Sequence, residues 1–149
     1  MSNPTLERIG FAVSTRGHAT EIVYGGVRTA YTIGLYEKYG YEIIGVYRNP
    51  EVLGKICDII VDELKEGRVF DTNVPFDDLT SFPIVLRDAI PNRHMIHTVQ
   101  ATEYHGKVVP FRQMILTDKN GCFPWHQGYN YQLMDSQELL FDSRVRTLH

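Results

Sequence analysis

A chain of 149 residues, 43% hydrophobic and 22% charged, suits one globular domain and is too ordinary for a disordered, collagen-like or disulfide-scaffold protein. Fifteen basic and 18 acidic side chains give a formal net charge of −3. The Arg and Lys residues are scattered, Arg87, Arg93, Lys107 and Arg112 being the nearest thing to a patch, so nucleic acid is not an expected partner. The longest apolar runs are four or five residues, far below the roughly 20 of a membrane helix. The opening MSNPTLERIG lacks the charged-then-apolar order of an export signal, and Cys57 and Cys122 form no CxxC pair. We therefore expect a cytoplasmic protein with free thiols.

In chain order, Ile9-Gly-Phe-Ala-Val-Ser14 alternates apolar and small residues and is predicted as a strand. His18 to Tyr24 reads as a strand entering the turn Gly25-Gly26, and Val27 to Leu35 returns as its partner. Tyr41 to Tyr47 has the β-branched and aromatic content of another strand. Pro50 to Glu66 is the clearest element, a helix with Asn49 at its cap and Pro50 at the first helical position. Leu53, Ile56, Cys57, Ile60 and Leu64 make its apolar stripe, Asp58, Asp62 and Glu66 its solvated side. Lys65 and Gly67 close it.

Asp71 to Ser81 is predicted as a loop and Phe82 onward as a strand, with Pro83 at its start. Met95 to Tyr104 and Val108 to Thr117 read as two strands joined by the turn His105-Gly106-Lys107. Asp118-Lys-Asn-Gly121 is a strong turn signal, and the stretch from Asp135 is a short helix or an edge segment. Strands outnumber helices and hairpins imply antiparallel pairing, so the expected class is α+β: one domain over residues 1–149, a mainly antiparallel sheet packed by the helix at 50–66.

No GxGxxG, P-loop, GxSxG, HExxH or EF-hand pattern occurs. His94 and His97 have H-x-x-H spacing, but in a strand positions three apart face opposite ways, so no metal site is expected there. No cofactor is expected either. Cys122 and His126 are close in sequence, which is no argument for a thiol nucleophile. Glu42, Asp118 and His126 are the candidate acid–base groups, although Asp118 at the head of a turn can instead bond the backbone two residues on. Gly121-Cys-Phe-Pro-Trp125 carries the only Trp. Pro124 fixes the chain so that Phe123 and Trp125 leave a rigid turn at set angles, either as a plug of the core or as an aromatic wall of a binding site. Tyr129 and Tyr131 add amphipathic rings nearby.

Ala30-Tyr-Thr-Ile-Gly-Leu35 with Gly40-Tyr-Glu42, the helix end Glu66-Gly67 with Phe70, Tyr104-His-Gly106, Gln113-Met-Ile-Leu116 and Asp118-Lys-Asn-Gly-Cys-Phe-Pro-Trp125 form one pattern. It resembles that of a bacterial family catalogued as domain of unknown function 4262, from about Phe11 to about Leu140. The chain departs from it where Tyr41 stands for a usual His with no Pro before Glu42, at Thr117 for Pro, and at His126 for an acidic residue. The resemblance implies a domain boundary and motif importance but no reaction. A similar domain in some anti-CRISPR inhibitors of mobile elements implies an anti-defence role as one expectation, in a bacterium or phage.

Two function classes follow. The first is a non-catalytic binding module that engages a protein or small molecule through Tyr31, Thr32, Gly34, Phe123 and Trp125. The second is a small hydrolase or transferase that uses Glu42, Asp118 or His126 in a pocket between the YTIGL strand and the FPW turn. The first makes Trp125 partly exposed and beside Tyr31, with Glu42 or Asp118 in reach of one cavity. A homodimer is the default assembly for a small cytoplasmic domain.

Overall fold

The computed structural model describes residues 3–130 and 137–141. The elements in chain order are α1 (Pro4–Arg16), β1 (Ala19–Val23), β2 (Thr29–Ile33), α2 (Tyr36–Tyr39), β3 (Glu42–Val46), α3 (Pro50–Lys65), β4 (Ile84–Asp88), α4 (Pro91–His94), α5 (Val99–His105) and β5 (Phe111–Leu116). The strands form one sheet in the order β1-β2-β3-β5-β4. Every neighbouring pair is antiparallel except β3 with β5, so the class is α+β with a mainly antiparallel sheet.

The sheet is covered on both faces. α3 lies over β1, β2 and β3, and its stripe of Leu53, Ile56, Cys57, Ile60 and Leu64 packs with Ala30, Ile43, Leu86 and Met114. α1 and α5 cover the opposite face, where Ile9 and Ala101 meet Tyr31, Ile33, Ile44 and Phe111. Double coverage is why β2 and β3 are buried at every position and show no polar alternation. Gly45 on β3 is where α3 comes closest: an added Cβ would meet Leu53 Cδ2 at 2.9 Å.

Two sequence expectations are corrected. Residues 9–14 belong to α1, not to a strand. The Asn3 side chain accepts from the backbone of Thr5 and Leu6 at 3.1 and 3.2 Å, Pro4 occupies the first turn, and Gly17 closes the helix at φ +88°. Leu6, Ile9 and Val13 then face the sheet at helical spacing. The second correction is the hairpin over 95–117. Residues 99–105 form α5, and Gly106 at φ +74° is its left-handed cap, not the tip of a β-turn. Only the second arm is a strand, and it pairs with β3 and β4.

The strands β1, β2, β3 and β4 and the helix α3 lie where the sequence puts them, apart from end residues, whereas the short helices α2 and α4 were not anticipated. Gly26 turns β1 into β2 at φ +62°. Asn49 precedes α3 but makes no side-chain capping bond, while Gly67 sits at φ +95° beyond its end. The loop 66–83 folds Phe70, Phe76 and Leu79 over the α3 face of β4 and β5. Tyr131 and Asp135 lie outside the described residues. Of the stretch after Asp135, residues 137–141 form an irregular strap: Leu140 donates its N–H to Gln113 Oε1 at 2.8 Å, and Leu116 donates its N–H to Gln137 Oε1 at 2.6 Å. Among the described residues no helix is long and apolar enough to cross a membrane.

Candidate functional site

The Y-T-I-G-L segment leaves β2 at Ile33 and turns sharply into α2. Gly34 makes the turn at φ +117°, with the Gly17 carbonyl oxygen 3.1 Å and His18 Cα 3.2 Å from where a Cβ would stand. Only glycine meets both conditions without strain. The turn leaves backbone N–H groups at the start of α2, and no side chain within that helix caps them. Glu42, the first residue of β3, does so from across the sheet. Its carboxylate accepts from Gly34 N at 2.7 Å, from Leu35 N at 3.1 Å and from Tyr36 N at 3.2 Å. It also accepts from Thr32 Oγ1 at 2.8 Å, while that hydroxyl accepts from Ile43 N at 2.9 Å. Glu42 is fully buried.

A fifth donor comes from α5. His105, its last residue, places Nε2 2.8 Å from Glu42 Oε2, with 3% of the His105 side chain exposed. A carboxylate only accepts, so Nε2 is the donor of this pair. Nδ1 has no hydrogen-bond partner among the described residues. The imidazole stands edge-on to Tyr36 and Tyr104, centroids 5.5 and 5.1 Å away, and Lys107 lies 5.2 Å from the Tyr36 ring. The Tyr104 hydroxyl is pushed above the usual phenol value, by burial first and then by the carboxylates of Glu37 and Glu42.

A second cluster forms at the β5–β4 end of the sheet. Asp118 receives backbone N–H groups from Asn120 and Cys122, each at 2.9 Å, and from Asn130 at 2.8 Å. The bond from Cys122 leads these in holding its carboxyl below the usual carboxylate range. His126 Nδ1 accepts from Phe123 N at 3.0 Å, tying the turn from the other side. On this frame Phe123 and Trp125 stack at 5.0 Å with ring planes 10° apart. The Arg87 guanidinium lies 5.2 Å from the Trp125 ring and 4.6 Å from Phe141. Phe123 is buried; Trp125 is partly exposed and His126 exposed.

The nominated residues thus fall into two groups. Thr32, Gly34 and Glu42 converge at one corner; Phe123, Trp125, Asp118 and His126 converge at another. Tyr31 joins neither as a surface ring. It is 1% exposed, stands edge-on to Phe111 at 6.1 Å, and burial lifts its hydroxyl to about 12. The register runs Tyr31, Ile44, Gln113, Arg87 across the sheet, so two strands separate Tyr31 from the residue under Trp125. The expected adjacency of Tyr31 and Trp125 does not form, because the two motifs end on strands that are not neighbours.

His105 is the group that residue-type reasoning passed over. Reading Tyr104-His-Gly106 as a hairpin tip points the ring to solvent, whereas a helix ending at Gly106 points it inward. His94, also read as a strand histidine, is buried at the end of α4, its ring 4.7 Å from Phe111 and tilted 41° to it. Burial, helped by His97, pulls its pKa down to about 4. Among the described residues no group of three or more His, Cys, Asp or Glu side chains is placed to hold a metal ion. Cys57 and Cys122 are unpaired, and burial pushes the Cys57 thiol far up.

The chain belongs to the family described as "Domain of unknown function (DUF4262)", whose pattern matches residues 8–130. No curated protein matches it. No solved structure matches it.

Proposed function

We propose that this DUF4262 chain is a non-catalytic binding module of the cytoplasm that offers the ring of Trp125, with His126 beside it, to a protein or small-molecule partner. One observation carries the reading: each of the three acid–base candidates is spent on backbone. Glu42 accepts from three N–H groups, a hydroxyl and an imidazole; Asp118 from three N–H groups; His126 Nδ1 from Phe123. Groups so committed hold turns in shape, and the turn that Asp118 and His126 hold presents the only Trp of the chain, partly exposed and stacked on Phe123. A rigid, amphipathic ring loses little conformational entropy on contact, which is what a binding anchor needs. An anti-defence role remains compatible with such a module.

The test is a photo-crosslinker, benzoylphenylalanine, at the exposed Gln127, in the native cell. A specific partner should cross-link strongly, and Trp125→Ala in the same background should lose that product while the folded fraction is unchanged. Equal yield from the Trp125→Ala protein, or from a crosslinker at exposed Val69 in the loop 66–83, would overturn the proposal.

A second reading has its own observation. His105 is oriented by a buried carboxylate and keeps Nδ1 without a hydrogen-bond partner among the described residues, the arrangement of a general base. This moves acid–base chemistry away from Asp118 and His126 to the corner of α2 and α5. Hydrolase or transferase turnover that is lost in His105→Asn and kept in Trp125→Ala would favour it over the binding module.

A further inference from the structure

The strap of residues 137–141 runs back along β5, from Leu116 to Gln113, and on to the start of α4. Three residues of the body hold its main chain. Gln113 Nε2 donates to the Glu138 carbonyl at 2.6 Å, and Gln113 Oε1 accepts from Leu140 N at 2.8 Å. Ile90 N donates to the Leu140 carbonyl and Arg93 Nη1 to the Phe141 carbonyl, each at 2.7 Å. These four bonds engage peptide groups, which every sequence offers. Sequence enters through two buried side chains: Leu140 in the core beneath α1 and α5, and Phe141 against Val85, Ile115 and Phe123.

Main-chain bonds for affinity and side-chain pockets for selection are how a groove recognises a peptide. Gln113 separates such a groove from ordinary core. It is fully buried on β5, between β3 and β4, where an apolar side chain would pack without needing partners. Its amide is matched as donor and as acceptor by the main chain of the strap. Ile90, Arg93 and Gln113 all fall within residues 8–130 of the family pattern, whereas the strap lies beyond it. The groove is thus part of the domain, and its occupant is appended to it.

We propose that this groove is a peptide-binding site, filled in cis by the strap, and that it takes a linear segment of a partner protein carrying adjacent leucine and phenylalanine side chains. The strap stands aside when that segment binds. Phe141 lies 6.1 Å from Trp125, so the groove adjoins that ring, but it does not require the ring as an anchor. The strap competes from within the same chain, at an effective concentration on the order of millimolar, and so keeps the site closed to weak segments.

Two measurements on the full chain test this. In amide hydrogen exchange of the parent protein, Leu140 N–H should be protected at least about tenfold less than Ile44 N–H in the central strand β3, through local opening of the strap. The second uses the peptide acetyl-Gln-Glu-Leu-Leu-Phe-amide, a copy of the strap, and the double variant Leu140→Ala/Phe141→Ala, in which the strap is loosened. The variant should bind the peptide saturably and one-to-one, with amide shifts at Ile90, Gln113 and Leu116. The parent should bind it at least about tenfold more weakly, because its own strap competes. Alanine at the last two peptide positions, or Gln113→Leu added to the variant, should each weaken binding about tenfold or more. Leu140 protection equal to that of Ile44, an unfolded double variant, no saturable binding, or indifference to the alanine peptide and to Gln113→Leu would each make the strap plain core and overturn the proposal. A parent dimer that becomes monomeric in the double variant would assign the groove to the strap of a second copy and overturn it too.

Discussion

Glu42→Gln is the sharpest perturbation the structure offers, because the amide keeps the shape of the carboxylate and removes only charge and one acceptor. The six contacts divide unevenly. Oε2 takes Gly34 N, Tyr36 N, His105 Nε2 and one approach of Leu35 N; Oε1 takes Thr32 Oγ1 and the other approach of Leu35 N. A glutamine therefore places its oxygen at the Oε2 position, and its NH₂ faces Thr32 Oγ1, which can turn to accept. Leu35 N–H keeps one acceptor and gains a like-signed neighbour. Geometry is almost preserved, so the loss is mainly electrostatic. Bonds to a charged acceptor are worth about 1.5–3 kcal/mol and neutral ones about 0.5–1.5. Over four or five bonds, offset by the smaller desolvation of an amide, the expected loss is about 2–4 kcal/mol.

Glu42→Ala removes both oxygens and strands five donors, two of them on the side chains of Thr32 and His105. With partial rehydration of the turn the expected loss is about 4–6 kcal/mol, comparable with the whole stability of many domains of this size. Urea unfolding followed by far-ultraviolet circular dichroism measures both. A Glu42→Gln protein within about 0.5 kcal/mol of the parent, the range of ordinary surface substitutions, would refute the view that this carboxylate holds the corner.

Four further outcomes follow from the packing and the charges. Gly34→Ala should cost about 2–4 kcal/mol, since the residue needs φ +117° and its Cβ would press on the Gly17 carbonyl; an unchanged midpoint in urea would contradict the close approach. Ile60→Asp places a carboxylate in the fully buried stripe of α3 and should unfold the chain or lower its melting temperature by well over 10 °C; parent-like melting would disprove the packing. His94 binds a proton near its ordinary 6.5 when unfolded but near 4 when folded, so the unfolded state holds more protons between those values. Stability should then fall as pH drops from 6.5 to 4, by at most about 3 kcal/mol at 1.36 kcal/mol per unit, and His94→Gln should flatten that slope. Trp125 emission should be quenched by acrylamide to a degree between free indole and a core Trp, and complete shielding would reduce Phe123-Pro-Trp125 to a plug.

The sheet was legible from content and spacing wherever a strand was flanked by turn chemistry, as at Gly25-Gly26 and Asn49-Pro50. Its errors share one cause: a short amphipathic helix and a strand look alike over six residues when the boundary signal is missed. The boundary signal at α1 was present. Asn3-Pro4 is the same cap-and-proline pair that identifies α3 at Asn49-Pro50, and the structure shows the Asn3 side chain capping where Asn49 does not. At α5 the ambiguous residue was Gly106, since a left-handed glycine serves a hairpin tip and a helix end equally well. What distinguishes them is the partner of the segment before it, and that is tertiary information.

The candidate site shows the same divide between local and nonlocal information. Asp118 at the head of its turn bonds Asn120 N two residues on, as turn chemistry alone expects, and the rigidity of Phe123-Pro-Trp125 follows from it. Glu42 carries no such local signature, because its partners lie 6 to 10 residues before it and 63 after it. Its proximity in the pattern to Tyr-Thr-Ile-Gly-Leu has a physical reason: the carboxylate caps the helix that this segment begins, so neither can change alone. That coupling extends to Tyr104-His-Gly106, since His105 reaches Glu42 only if Gly106 ends α5 at that residue. Three segments of the family pattern are thereby bound into one hydrogen-bonded unit. Asp118 to Trp125 forms another at the far side of the sheet, joined to the first through the β3–β5 pairing of Glu42 with Phe111 and Ile44 with Gln113. In the proposed binding module, two rigid corners on one sheet would set where a partner touches, and Trp125 is the ring that the contacts of the second corner leave partly exposed.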